Sequence, residues 1–202
     1  MAYVESAVVV YLRGALDLEA NRIFPILGPE AVGSLTFIEL GRELATLVML
    51  AAIGALVGRS ALERLAWAAV AFGVWDIGYY GWLWVFIGWP PGLDTWDLLF
   101  LVPLPWVGPV WAPVAVSCAL IGFGLVGAIR MRGGIALRVR PWEAAAGLAG
   151  GLLVVISFVV DAPAIIAGGM PRDYPWWIFA AGMLMGMVAA LAVLREARPT
   201  RS

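Results

Sequence analysis

Residues 98–129 run for 32 positions without an Asp, Glu, Lys or Arg. A spanning helix needs about 20 mostly apolar residues, so this one run already exceeds a bilayer crossing. Four further stretches read the same way, at 35–58, 65–88, 142–161 and 174–194, with the third helix of the series taken as 109–130 inside the uncharged run. The whole chain is 63% hydrophobic and 13% charged, against about 45–50% and about 25% in soluble domains. The expectation is an all-α membrane protein: one integral domain over 1–202, folded as a five-helix transmembrane bundle.

Residues 3–27 carry Arg13, Asp17, Glu19 and Arg22 among apolar residues, and each charge at mid-membrane costs about 2.5–3.5 kcal/mol on an insertion scale. This stretch therefore reads as an N-terminal amphipathic surface helix. Val4, Val8, Tyr11, Leu12, Ala15 and Leu18 form its apolar face, and Pro25, Gly28 and Pro29 end it. No basic segment precedes it and no small-residue cleavage site follows, so it does not read as a signal peptide.

The basic residues are all Arg. Arg59 and Arg64 lie between the first two spans, Arg130, Arg132, Arg138 and Arg140 between the third and fourth, and Arg195, Arg198 and Arg201 after the fifth, nine of the 13 basic residues. Cytoplasmic loops carry the excess of Arg and Lys, which predicts a cytoplasmic C-terminus and places 89–108 and 162–173 outside. Together with the abundant Gly and Pro, an all-Arg basic set fits a GC-rich bacterial genome and hence a bacterial inner membrane. Gly54-xxx-Gly58, Gly147-xxx-Gly151 and Gly182-xxx-Gly186 let backbones approach closely. They predict packing within the chain, or else contact with a membrane-protein partner or a second copy.

Missing residue types remove whole classes of chemistry. The chain has no His and no Lys, and one Cys, Cys118. Haem and zinc sites built on imidazole are disfavoured, as is a Ser-His-acid triad. A retinal Schiff base needs Lys, and a cysteine-ligated iron–sulfur cluster needs several thiols. The formal net charge of −1 offers no basic surface for nucleic acid. Carboxylates, Arg, Tyr and Trp are left, and carboxylate or carbonyl sites suit protons and hard cations.

Ionisable groups inside a span are site candidates by default. Glu39, Arg42 and Glu43 share one helix face at i, i+3 and i+4 spacing, with Thr36 and Thr46 extending the stripe. Starting the helix at Leu44 instead would leave 15 residues through Gly58, about 22 Å, which is short for a core of about 30 Å. Asp76 falls near the middle of the second span, with Tyr79 and Tyr80 at i+3 and i+4 able to donate O–H to it, and Gly73 leaving room beside it. Arg42 pairing with Glu39 or Asp76 is expected to be the dominant polar contact.

Between the second and third spans, Pro103, Pro105, Pro109 and Pro113 cannot all lie in one regular helix. The expectation is an N-cap at Asp94 or Thr95, a short half-helix over 96–102, a Pro-defined break, and Pro109 in the first turn of the third helix. Asp97 would then complement a helix N-terminus. Trp89, Trp96, Trp106 and Trp111 read as an interfacial aromatic belt, and Asp161 as a helix-end residue. Glu39, Arg42, Glu43, Asp76, Tyr79, Tyr80, Trp96, Asp97 and Asp161 together suggest one acidic, Trp-lined pocket facing outward.

The Trp89-Pro90-Pro91 run follows the second span, whereas the Trp-Pro-Pro loop of tryptophan-rich sensory proteins follows the first. The Gly-x-Gly-Asp motif of intramembrane aspartyl proteases is absent. No family is assigned on these grounds. Three functions stay open. The pocket binds or passes a proton, hard cation or small amphipathic molecule. Alternatively, the chain is a non-catalytic structural or assembly subunit of a larger membrane complex. The third reading is an intramembrane enzyme using paired carboxylates.

Overall fold

In the computed structural model the described residues are 1–15, 29–101, 104–167, 169, 171–195 and 198–199, with the side chains of 29–36 and 198–199 outside that description. The part of the N-terminal stretch over 16–27, Thr36, and the tail beyond Pro199 therefore lie outside the described residues.

The helices are α1 (Ala2–Ala15), α2 (Pro29–Val57), α3 (Ala61–Ile87), α4 (Trp111–Arg132), α5 (Pro141–Val159), the short α6 (Ala162–Ile166) and α7 (Trp176–Arg195). Five helices are long and apolar enough to cross a membrane, which fits the all-α class. The first begins at Pro29, with Pro favoured where a helix starts, so Glu39, Arg42 and Glu43 stand well inside a helix rather than ahead of one.

Two segments are extended. β1 (Trp96–Phe100) pairs antiparallel with β2 (Trp106–Pro109), matching Trp96 with Pro109, Asp97 with Gly108 and Leu98 with Val107, with a shift of register before Phe100 and Trp106. This overturns the half-helix over 96–102 and with it the N-cap at Asp94 or Thr95. A seven-residue run with six apolar members can be strand or buried helix by pattern alone, and the returning segment decides it. Prolines at 105 and 109 exclude a helix there, while the Trp-Val-Gly stretch between them can offer ladder groups to a neighbour. Backbone bonds from Val110 N–H to Thr95 O and from Trp111 N–H to Leu93 O, both 2.9 Å, extend the pairing. Helix α4 accordingly starts at Trp111, with Pro113 rather than Pro109 in its first turn. β3 (Ile135–Ala136) and β4 (Arg198–Pro199) form a second, minimal antiparallel pair.

The contacts divide the chain into two compact units. The first comprises residues 1–47, 75–114 and 158–174. Its core is Val9, Tyr80, Leu83, Trp89 and Val110, with Leu99 and Val114 packed against it. Trp89 is 3% exposed and lies under the Arg13 guanidinium, 5.2 Å from the ring centroid. Trp106 stacks on Phe158 at 6.2 Å, and Trp96 and Trp111 meet Tyr174 edge-on. All four pack against residues of the unit, Trp89 buried and Trp96, Trp106 and Trp111 half-buried. The exposed tryptophans are others, among them Trp84, Trp176 and Trp177.

The second unit comprises residues 48–74, 115–157 and 175–202. Arg132 Nε donates to Glu63 at 2.9 Å and its Nη2 to Val57 O at 3.1 Å, while Arg130 donates to Leu194 O at 2.6 Å. The Arg-bearing ends of α2, α3, α4 and α7 thus gather at one end of this unit. Gly73 offers no free room beside Asp76, because a Cβ there would meet Ser117 O at 2.6 Å and Ile121 at 2.8 Å.

Small residues close the α5–α7 contact. A Cβ on Gly150 would lie 2.7 Å from Gly182 O and 2.8 Å from Gly186 N, backbone atoms that cannot rotate away. Gly150→Ala should therefore spread the two helices and cost about 1–3 kcal/mol, read as a lowered melting temperature in detergent. Gly151→Ala meets nothing within 4 Å and should stay within about 0.5 kcal/mol of wild type. Equal melting of the two variants would reject the contact.

Candidate functional site: an acidic cavity in the first unit

Helix α1 turns its polar side inward. Glu5, Ser6, Val9 and Arg13 are buried, and Tyr3, Val4 and Tyr11 are exposed. Of the expected apolar face, Val4, Tyr11 and Ala15 are exposed, Val8 and Leu12 are half-buried and Leu18 lies outside the described residues, while the opposite side, with Glu5 and Arg13, meets protein. Ser6 Oγ donates to Tyr79 O at 2.9 Å, holding α1 against α3.

Glu5 meets the Glu39-Arg42-Glu43 face of α2. The Arg42 guanidinium forms ion pairs with Glu5 through Nη1 and with Glu39 through Nη2, the latter at 2.6 Å, and its Nε donates to Glu39 Oε2 at 2.8 Å. Thr46 Oγ1 donates to Glu5 Oε2 at 3.1 Å. The i,i+3 spacing on α2 delivers Arg42 beside Glu39 as expected. The second partner is Glu5, which the sequence did not single out. Glu43 reaches the strand segment instead, where both its oxygens lie 3.0 Å from Leu101 N–H, the backbone donor just past β1.

Alternation along β1 sets Asp97 and Leu99 on one face. Asp97 is 8% exposed. Its Oδ2 accepts from Tyr80 O–H at 3.0 Å and its Oδ1 from Leu98 N–H at 2.9 Å. Tyr80 therefore serves Asp97 and not Asp76. Burial pushes the Asp97 carboxyl up from 3.8 to about 7, reinforced by the nearby Asp76 and opposed by the Tyr80 and Leu98 hydrogen bonds and by Arg13. That is an ionisation near neutrality, and no helix dipole is involved.

These groups surround a cavity of about 80 Å³. Its wall includes Glu5, Arg13, Glu39, Arg42, Glu43, Asp76, Tyr79, Tyr80 and Asp97. Seven of the nine residues singled out from sequence are brought together there. Trp96 and Asp161 are not in the wall: Trp96 packs on Tyr174, and Asp161 Oδ2 accepts from Arg172 N–H at 3.0 Å. Glu5 and Arg13 were missed. Their signal was the i,i+4,i+8 stripe Glu5, Val9 and Arg13, charged at both ends.

Among the described residues of this wall, five carboxylates (Glu5, Glu39, Glu43, Asp76, Asp97) face two guanidiniums (Arg13, Arg42), a formal −3 when all are ionised. Among the described residues no three acidic or thiol side chains form a group that could hold a metal ion. A site of this volume has room for about two or three waters at about 30 Å³ each, well short of the roughly 300–1,000 Å³ of small-molecule pockets. Compared with protein-family models, curated proteins and solved structures, the chain matches none.

Proposed function

We propose that this chain is a multi-pass membrane protein whose acidic cavity takes up and releases a proton. The excess of three buried carboxylates over guanidiniums carries the reading. Isolated charges transferred out of water cost several kcal/mol each, so such a wall is most stable when it retains protons. Tyr80 O–H and the Asp97 carboxyl are hydrogen-bonded at 3.0 Å, an arrangement through which a proton can shift between cavity water and side chain. Volume favours a proton over a small amphipathic molecule, and the dispersed carboxylates favour it over a hard cation.

Membrane insertion is supported by the exposed apolar surface. In the five candidate spans only 17–33% of the most apolar window is buried, and Leu56 and Leu148 stand 87% and 77% exposed. The Arg excess after α2, α4 and α7 supports a bacterial inner-membrane orientation with the C-terminus cytoplasmic. Alternation of the spans then sets the β1–β2 segment on the outer side. A reporter fused at Ser202 that is active only outside would reverse the orientation.

The second reading, a structural subunit, is favoured by one observation: Arg42, bridging Glu5 and Glu39, ties α1 to α2. The two roles divide the wall, with Arg42 as a lock and Asp97, held by the Tyr80 hydroxyl, as the titrating part.

Infrared difference spectroscopy of the reconstituted protein tests the proposal. Wild type should show a protonated-carboxyl band at pH 6 that fades as pH passes 7, and Asp97→Asn should lose that component. Vesicles with an internal pH dye should take up protons down an imposed gradient with wild type and several-fold more slowly with Asp97→Asn. No titrating carboxyl band near neutrality would end the proton reading in favour of the structural one.

A further inference from the structure

We infer that the second unit carries a binding groove for one anionic phospholipid between α4 and α7. The inference is independent of the acidic cavity and shares with it only the membrane-spanning reading. The groove encloses about 700 Å³ and is open along one side. Its floor on α4 is Cys118, Gly122, Phe123 and Val126, and Arg130 and Arg195 stand at one end.

Three observations fix the occupant. First, Cys118, Gly122, Val126 and Arg130 follow one another at four-residue steps, a single stripe on α4. Twelve residues separate the first from the last, about 18 Å along the axis. That matches one leaflet of a hydrocarbon core about 30 Å thick, so the stripe has the length of an acyl chain lying beside the helix. Second, the stripe has space against it: a Cβ on Gly122 would meet nothing within 4 Å. Third, the charge is confined to the end where a headgroup would lie. Arg195 is exposed, and Arg130 uses Nη1 on Leu194 O at 2.6 Å, which fixes its guanidinium at the groove mouth. A planar guanidinium recognises phosphate oxygens through paired donors. Apolar length with two cations at one end is complementary to a lipid whose headgroup carries net negative charge. A zwitterionic headgroup offers these cations less, and free phosphate leaves the apolar floor unused.

The test is native mass spectrometry of the protein released from vesicles of equal phosphatidylglycerol and phosphatidylcholine. Wild type should retain one phosphatidylglycerol in preference to phosphatidylcholine. Each Arg near an anionic surface contributes about 1 kcal/mol, about fivefold in occupancy, so Arg195→Gln should lower the ratio about fivefold. Gly122→Trp starts from a Cβ that meets nothing within 4 Å, fills the floor and should abolish retention while melting stays near wild type. Its response separates a groove from a diffuse headgroup attraction, and Arg195→Gln carries the test if the Trp variant does not fold. Equal retention of both lipids by wild type, or selectivity unchanged in both variants, overturns the proposal. Loss of selectivity would leave the carboxyl titration of Asp97 untouched, so the two proposals fail separately.

Discussion

Replacing Arg42 with Ala should lower stability by about 3–5 kcal/mol, the usual cost of breaking a buried ion pair by removing one partner. The guanidinium side chain is 24% exposed, and Glu5 and Glu39 are 11% and 13% exposed. Its removal leaves two carboxylates facing each other with little water to screen them. The loss should be local before it is global. Glu5 is held to α2 by Arg42 and Thr46, while Ser6 and Val9 bind α1 to α3 and Arg13 covers Trp89. Hydrogen exchange in residues 2–15 should therefore accelerate ahead of the rest of the chain. Arg42→Lys keeps one charge but not the fork that reaches both carboxylates, and should fall between wild type and Ala. Adding Glu5→Gln to Arg42→Ala removes one stranded charge and should recover part of the loss, a coupling readable in a double-mutant cycle. An Arg42→Ala protein that melts like wild type, with unchanged exchange in α1, would mean that these charges are solvated and that Arg42 locks nothing.

The helices and the Arg asymmetry were legible because they depend on properties that add along the chain. An 18-residue apolar window or a nine-Arg bias survives any detail of packing. The Glu39–Arg42 pair was legible for the same reason, since both residues sit on one helix and the helix repeat fixes their distance. Contacts between elements were not. Glu5 has no visible role until α2 is placed beside it, and Trp89 reads as interfacial until Arg13 covers its ring. The β1 segment shows the limit most sharply. Six apolar residues and Asp97, following Asp94 and Thr95, satisfy a capped helix or a buried strand equally well. The choice belongs to residues 106–109, which supply the partner ladder. The consequence for function is direct, because a strand places Asp97 next to Leu98 N–H and Tyr80 rather than at a helix end.

Asp97 should give the chain an inverted pH dependence. Its carboxyl titrates near 7 in the fold against 3.8 ordinarily, so between about pH 4 and 7 the folded state holds a proton that the unfolded state has released. Stability contributed by that proton is present at low pH and is lost as pH rises through the folded value. A gap of about three pH units corresponds to roughly 4 kcal/mol across the window. The paired carboxylates Glu5 and Glu39 work in the opposite direction, because acid removes the charge that Arg42 neutralises. Wild type alone therefore shows the sum, and the difference from Asp97→Asn isolates the one group. Asn keeps the size of the side chain and mimics the protonated acid: its Oδ1 accepts from Leu98 N–H and its Nδ2–H donates to the Tyr80 oxygen. Below about pH 4.5 the two proteins should melt within about 1 kcal/mol of each other. Above pH 7 the Asn variant should be the more stable by up to roughly 4 kcal/mol, while its proton uptake is slowed several-fold. Melting curves of both proteins from pH 4 to 8 decide it. If the two curves stay parallel across that range, Asp97 ionises as an ordinary surface carboxylate and the proton site must lie elsewhere in the wall. A gap that opens above about pH 4 and levels off near neutrality would identify Asp97 as a group held ready to change charge at a cost in stability, as a proton-exchanging side chain requires and a purely structural one does not.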